Sequence, residues 1–391
     1  MNPSGMIEPP KSLLKALNVP KKLLMGPGPS NCSPRVLHSL SQQVIGHLHQ
    51  ECLQIMDEIK EGLQYVFQTR NRLTLAVSAT GHAGMEAVMC NLIEPGDIVL
   101  VTVNGIWGER AADMAARYGA VVHKVEKPLG ESFSISEIEQ ALRKFHPSLL
   151  FVVQGESSTG VFQRCCQLGP LCHKYGCLLA VDTVASLGGV QFYADRWEVD
   201  VVYTGSQKVL GAPPGLAPIS FSPRAEAKIR GRRTPVKVFY LDMTLLGDYW
   251  GCFGNPRIYH HTVPVTLLYG LREGLAQLAE ESLQKCWERH KNCSIQLHEG
   301  ITKLGLDFFV RDATSRLPTV TAISLPPHID GRAVSRYAME RYGLEIAGGL
   351  GPTVGKIMRI GLMGYNATPE NVSVTLAVLK EALAHATASR L

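Results

Sequence analysis

Val201-Val202-Tyr203-Thr204-Gly205-Ser206-Gln207-Lys208 is an apolar, β-branched run that opens into a polar turn and ends in a lysine. Twenty-six residues before that lysine, a second apolar run, Cys177-Leu178-Leu179-Ala180-Val181, ends in Asp182. Strands this apolar are buried on both faces, as in a parallel sheet covered by helices. Both charged residues then project from the carboxyl edge of the sheet, where open α/β sheets bind ligands. Each has a plainer reading. A lysine after a strand is usually a solvated loop residue, and an aspartate there often forms a turn or caps a helix. As a pair they have the layout that pyridoxal phosphate chemistry needs. Lys208 would form the Schiff base, and Asp182 would hold a proton on the pyridine nitrogen so that the ring accepts electrons.

The pattern extends outward from these two strands. Strands are predicted over 73–77, 98–103, 121–125, 149–153, 178–181, 201–204 and 217–221, with helices over 84–92, 108–118, 135–144 and 168–175. Such alternation means an α/β fold with a mostly parallel sheet sandwiched by helices. After residue 221 the rhythm changes. One long helix is expected over 265–297, then strands near 306–310, 320–325 and 358–362 and helices over 331–342 and 369–385, a small α+β unit. The chain therefore divides into an extended N-terminal arm (1–20), a large cofactor-binding domain (21–281) and a small C-terminal domain (282–391).

Composition bounds the function. The 391 residues are 45% hydrophobic and 19% charged, as in ordinary soluble enzymes. A net charge of +5 is too weak to argue for nucleic acid, and no apolar run is long enough to span a bilayer. The densest basic cluster, 228–237, reads as a solvated loop or helix end, or at most as part of an anion-attracting rim. Ten cysteines occur without a secretory signal, so reduced thiols are expected. Cys165, Cys166, Cys172, His173 and Cys177 fit no standard zinc spacing, and core packing is the expected role. The last three residues, Ser389-Arg390-Leu391, resemble the peroxisomal address S-K-L and would engage an import receptor. The competing organelle is the mitochondrion, because residues 11–24 are basic and leucine-rich, but Glu8 and several prolines make them a poor leader.

Other residues carry possible chemistry. Thr80-Gly81-His82 joins a strand to a helix, where backbone amides and a hydroxyl bind phosphate or Thr80 simply caps the helix. Two nucleotide motifs fail. Gly351-Pro352-Thr353-Val354-Gly355-Lys356 is one residue short of a P-loop, and Gly26-Pro27-Gly28 lacks the third glycine of a dinucleotide fingerprint. An NAD-dependent enzyme therefore lacks its loop. Gly155-Glu156-Ser157-Ser158-Thr159-Gly160 puts hydroxyls on the edge that carries Asp182. Trp107 can stack on a flat ring or serve the core. Arg359, inside an apolar strand, either pairs with a buried carboxylate or binds a ligand carboxylate bidentately.

With these residues assembled, the chain resembles the class V aminotransferases of pyridoxal phosphate fold type I. The likeness runs over nearly the whole chain, through segments 24–31, 104–108, 155–160, 205–208, 259–262, 348–352 and 359–362. The resemblance implies Lys208 as the Schiff-base lysine, Asp182 as the ring-nitrogen partner and Trp107 stacked on the ring. It implies cofactor contacts from Thr80, Gly81, His82 and Gln207, with Thr80 where the family has serine, and Ser157 near the phenolic oxygen. Tyr259 and Thr262 match residues that a partner subunit gives to the phosphate site, and Arg359 matches the substrate-carboxylate arginine. A homodimer follows, with the N-terminal arm laid over the other subunit. The implied reaction moves an amino group from L-alanine, or L-serine, to glyoxylate, giving pyruvate and glycine, with 3-hydroxykynurenine as the alternative donor. A cysteine desulfurase of this fold would need a nucleophilic cysteine in a mobile loop, whereas Cys286 and Cys293 fall on a predicted helix.

Overall fold

Strand and helix alternate from Leu73 onward in the computed structural model, which describes residues 6–388. Helices α1 (Pro34–Ser39) and α2 (Gln50–Phe67) precede β1 (Leu73–Val77). Then follow α3 (Gly81–Leu92), β2 (Ile98–Val103), α4 (Ile106–Arg117), β3 (Val121–Glu126), α5 (Ile135–Phe145) and β4 (Leu149–Val153). A short hairpin, β5 (Gly155–Glu156) and β6 (Val161–Phe162), leads through α6 (Leu168–Lys174) to β7 (Leu178–Asp182), β8 (Val201–Tyr203) and β9 (Ala217–Phe221).

These strands form a seven-stranded sheet in the order β1-β9-β8-β7-β4-β2-β3. Only β9 runs antiparallel to its neighbours, β1 and β8. No helix separates β8 from β9, and a parallel neighbour would need a crossover. Every residue of β1, β4, β7, β8 and β9 is buried, which is why these strands read as unbroken apolar runs. β3 has no buried residue and carries Lys124 and Glu126, as suits an edge strand. Helix starts follow local chemistry. Ser134 and Glu137 form a capping box at α5, and Ser33 caps α1 with Pro34 in its first turn.

The second half contains α7 (Pro223–Arg230), α8 (Met243–Tyr249), α9 (Val265–Glu281), α10 (Leu283–Lys303), β10 (Val320–Ser324), α11 (Gly331–Tyr342), β11 (Ala347–Gly348), β12 (Ile357–Gly361) and α12 (Pro369–Ala388). The expected single helix over 265–297 is two helices. The chain turns at Ser282 (φ 72°), whose hydroxyl accepts the Lys285 N–H at 3.4 Å. Apolar periodicity continues across that turn, so it gives no sign of the break. The strand expected near 306–310 reduces to one bridge, Phe308 to Ile323. The basic cluster is fastened down. Lys228 pairs with Asp97 at 2.9 Å, Arg230 with Glu226 at 2.7 Å, and Arg232 donates to the carbonyls of Asn91 and Ile93.

The buried apolar residues form two clusters. The larger surrounds the seven-stranded sheet. The smaller joins α10, α11 and α12 to the sheet β10-β12-β11, and it includes Met25 from the N-terminal side. Residues 6–20 are all exposed, Ile7 at 97% and Leu17 at 91%, with one short 3-10 turn at Lys11–Leu14. Cys165, Cys172 and Cys177 are buried in the larger core. No described helix is long and apolar enough to cross a membrane.

Candidate active site

The carboxyl ends of β1, β4, β7 and β8 and the turns that follow them converge on one cavity. Thr80, Gly81, His82, Trp107, Ser157, Asp182, Gln207 and Lys208 all line it. Sequence reasoning missed Met85, Gly155, Val184, Ala185 and Tyr203, which complete the wall. A tyrosine closing an apolar strand five residues before the lysine was the one legible sign among them.

Asp182 is the last residue of β7 and is 3% exposed. The Val184 N–H donates to its Oδ1 at 2.8 Å, and the Tyr203 hydroxyl donates to Oδ2. Burial pushes its carboxyl up to about 6, against the pull of these donors and of the Lys208 cation. Lys208 Nζ donates to the Pro27 carbonyl. Burial and the Arg359 guanidinium lower its amine to about 8, while Asp182 and Glu345 act in the opposite sense. The loop from Gly26 to Pro29 thus lies on the lysine. Gly28 (φ 106°) must be glycine there, because a Cβ would collide with the Lys208 side chain.

One wall is an indole. Trp107, in the first turn of α4, donates from Nε1 to Ser157 Oγ at 2.8 Å. Its backbone N–H donates to Glu156 Oε2 at 3.1 Å. The other Glu156 oxygen accepts the Ser158 N–H at 2.9 Å and hydroxyl at 2.6 Å. Glu156 is fully buried, which raises its carboxyl to about 7. A Cβ on Gly105 would collide with that carboxyl, so α4 can start here only because Gly105 is bare. His82 meets the indole edge-on, with ring centres 5.4 Å apart, and its Nε2 lies 2.8 Å from Arg110.

The start of α3 also lines the cavity. Thr80 occupies the cap position but its side chain makes no capping bond, which leaves the first-turn amides without that partner. Gln207 adds a buried amide oxygen with no partner among the described residues. Arg359 stands behind Ser157, in mid-β12. Its Nε donates to the Gly348 carbonyl at 2.8 Å and a terminal nitrogen donates to the Ser157 carbonyl at 2.9 Å. It is not among the residues that line the cavity, and no carboxylate lies within ion-pair distance of it among the described residues, although the Glu156 and Glu345 carboxylates favour its cation from further away. Tyr259 and Thr262 are not in this cavity. Their hydroxyls lie 3.2 Å apart on a half-exposed loop, which His261 ties to Ser78 at 2.7 Å.

The arrangement fits pyridoxal phosphate. One cavity is lined by a buried carboxylate (Asp182), a desolvated amine (Lys208), the start of a helix whose amides suit a phosphate (Thr80, Gly81 and His82) and an indole (Trp107).

A family model described as aminotransferase class-V matches residues 24–374. A Drosophila melanogaster protein named alanine–glyoxylate aminotransferase is 56% identical over 378 residues, covering 96% of each chain. The crystal structure of an alanine–glyoxylate aminotransferase from Nostoc sp. superposes with a TM-score of 0.92 at 46% identity, covering 98% of both chains. That of a ureidoglycine–glyoxylate aminotransferase from Bacillus subtilis gives a TM-score of 0.92 at 38% identity and 95% coverage of both.

Proposed function

The chain belongs to the class-V aminotransferases, and from that premise we propose that it moves the amino group of L-alanine, and also of L-serine, to glyoxylate, with alanine leaving as pyruvate and glyoxylate as glycine. It is a transaminase, and its cofactor is pyridoxal phosphate. The observation that carries the substrate pair is the name shared by the Drosophila and Nostoc relatives at 56% and 46% identity over nearly the full length. The alternative donor, 3-hydroxykynurenine, is not favoured.

When bound, the cofactor supplies a ring that accepts the electron pair left at the substrate Cα. The chain's own residues do the rest. Lys208 would hold the cofactor through its Nζ and, as a neutral amine, would take the proton from the substrate Cα. Asp182 keeps the ring nitrogen protonated. Trp107, fixed by Ser157 and Glu156, would stack on the ring and exclude water. The α3 amides, the Thr80 hydroxyl and the Gln207 side-chain N–H would hold the phosphate. Arg359, with two of its donors already engaged by Gly348 and Ser157, would offer the rest of its fork to the substrate carboxylate and so orient the substrate Cα.

Tyr259 and Thr262 lie outside their own chain's cavity, and residues 6–20 have no core to cover them. Both features support a homodimer in which each subunit completes the other's phosphate site and lays its arm over its partner. We also propose import into the peroxisome through Ser389-Arg390-Leu391, which lies outside the described residues. Removing the tripeptide is expected to leave a fluorescent fusion outside that organelle.

The visible absorption of the holoenzyme tests the reaction. Its yellow band is expected to bleach with L-alanine and return with glyoxylate. A band that ignores alanine but bleaches with ureidoglycine would move the donor while keeping the chemistry. A protein with no such band after incubation with pyridoxal phosphate would overturn the reading.

A further inference from the structure

Tyr203 lines the cavity, and transamination, as derived above, leaves it without a task. It closes β8, and the parallel register pairs it with Asp182 at the end of β7, so both side chains leave the sheet in the same direction. Its hydroxyl donates to Asp182 Oδ2, while the Val184 N–H holds Oδ1 at 2.8 Å. Tyr203 is 1% exposed. The two strand ends are also tied by Thr183, whose N–H and hydroxyl donate to the Tyr203 carbonyl at 3.0 and 2.9 Å. On the other side the phenol ring needs Gly84, since a Cβ there would lie 2.8 Å from Cδ2.

A carboxylate buried this deeply is driven toward its neutral form. A neutral carboxyl would give up its charge opposite the ring nitrogen. Hydrogen bonds donated to the ionised form oppose that drive, and those to a charged acceptor are the strong ones. We propose that Tyr203 is a positioning residue for the cofactor, which keeps Asp182 ionised and aimed and thereby keeps the pyridine nitrogen protonated. The inference rests on the reading of Asp182 as the ring-nitrogen partner.

Tyr203→Phe removes the donor and keeps the ring that fills the space. Two readouts on the purified protein apply: the nitrogen-15 resonance of ring-labelled cofactor in the holoenzyme, and the cofactor dissociation constant from titration of the apoprotein. The resonance is expected to move toward that of neutral pyridine, and the dissociation constant to rise about tenfold. Adding Asp182→Asn to Tyr203→Phe is expected to change the resonance little further, because both act through one carboxylate. Tyr203→Leu, a second variant, also removes the donor and is expected to move the resonance the same way, although the cavity it opens lowers its melting temperature. A protonated ring and unchanged affinity in Tyr203→Phe, with the protonated signal lost in Asp182→Asn alone, would overturn the role of Tyr203. A protonated ring in Asp182→Asn as well would overturn the reading of Asp182 and this inference with it.

Discussion

Lys208 stands between opposing electrostatic influences. Burial and Arg359 hold its amine down to about 8, while Asp182 and Glu345 favour the cation. The neutral amine is the form that attacks an aldehyde. Capture of pyridoxal phosphate by the apoprotein is therefore expected to quicken as pH rises to about 8 and to level off above it, whereas stopped-flow mixing would show a rate still climbing toward pH ~10.5 if the amine were not lowered. The same shift costs stability. A lysine whose folded value lies below its unfolded value opposes folding fully below about 8, and less as pH rises toward the ordinary lysine range near ~10.5. Lys208→Met should accordingly melt higher than the unmodified apoprotein at neutral pH, and the difference should fade in alkali. Arg359→Lys is expected to raise KM for each carboxylate substrate about tenfold or more, because a point charge does not replace a planar fork. An unchanged KM in steady-state assays would move the carboxylate site elsewhere.

At the scale of elements, the start of α4 is the junction that most constrains the site. Gly105 lets the helix begin against Glu156, and Glu156 in turn receives the Trp107 backbone N–H and both Ser158 donors. A glutamine there keeps the shape but has one acceptor oxygen where the glutamate has two, so at least one buried donor loses its partner, at a cost of about 1–3 kcal/mol. Glu156→Gln should lower the melting temperature and weaken cofactor binding together. A variant that melts lower with unchanged cofactor affinity would mean that Glu156 supports the fold without setting the indole. Ser282 makes the complementary point about element boundaries. The helical period from Val265 to Leu297 is uninterrupted in the sequence, yet the chain turns there into a separate helix that leads toward the second core. Periodicity reports which face is buried, not against which partner it is buried.

At the scale of the molecule, the displaced position of Tyr259 and Thr262 predicts an exchange between subunits. A Lys208→Ala chain and a Tyr259→Ala/Thr262→Ala chain, each inactive at limiting cofactor, are expected to regain activity when co-expressed, since one site of the hybrid then has both parts intact. No recovery would place both parts within a single chain. The sequence by itself determined the alternating sheet, the two strand ends that carry Asp182 and Lys208, and the loops bearing Thr80, Trp107 and Ser157. Burial on both faces writes itself into local composition, and residues that end such strands share one edge whatever their distance along the chain. Only the tertiary structure decided that the Gly26–Pro29 loop covers Lys208, that Tyr203 grips Asp182 and that Glu156 anchors Trp107. Lys208 and Pro27 are 181 residues apart, and the Asp182–Tyr203 contact depends on which residues of two strands fall into register. Neither condition leaves a mark in the composition or period of either segment, because each is set by how the strands and loops pack together rather than by what any one of them contains.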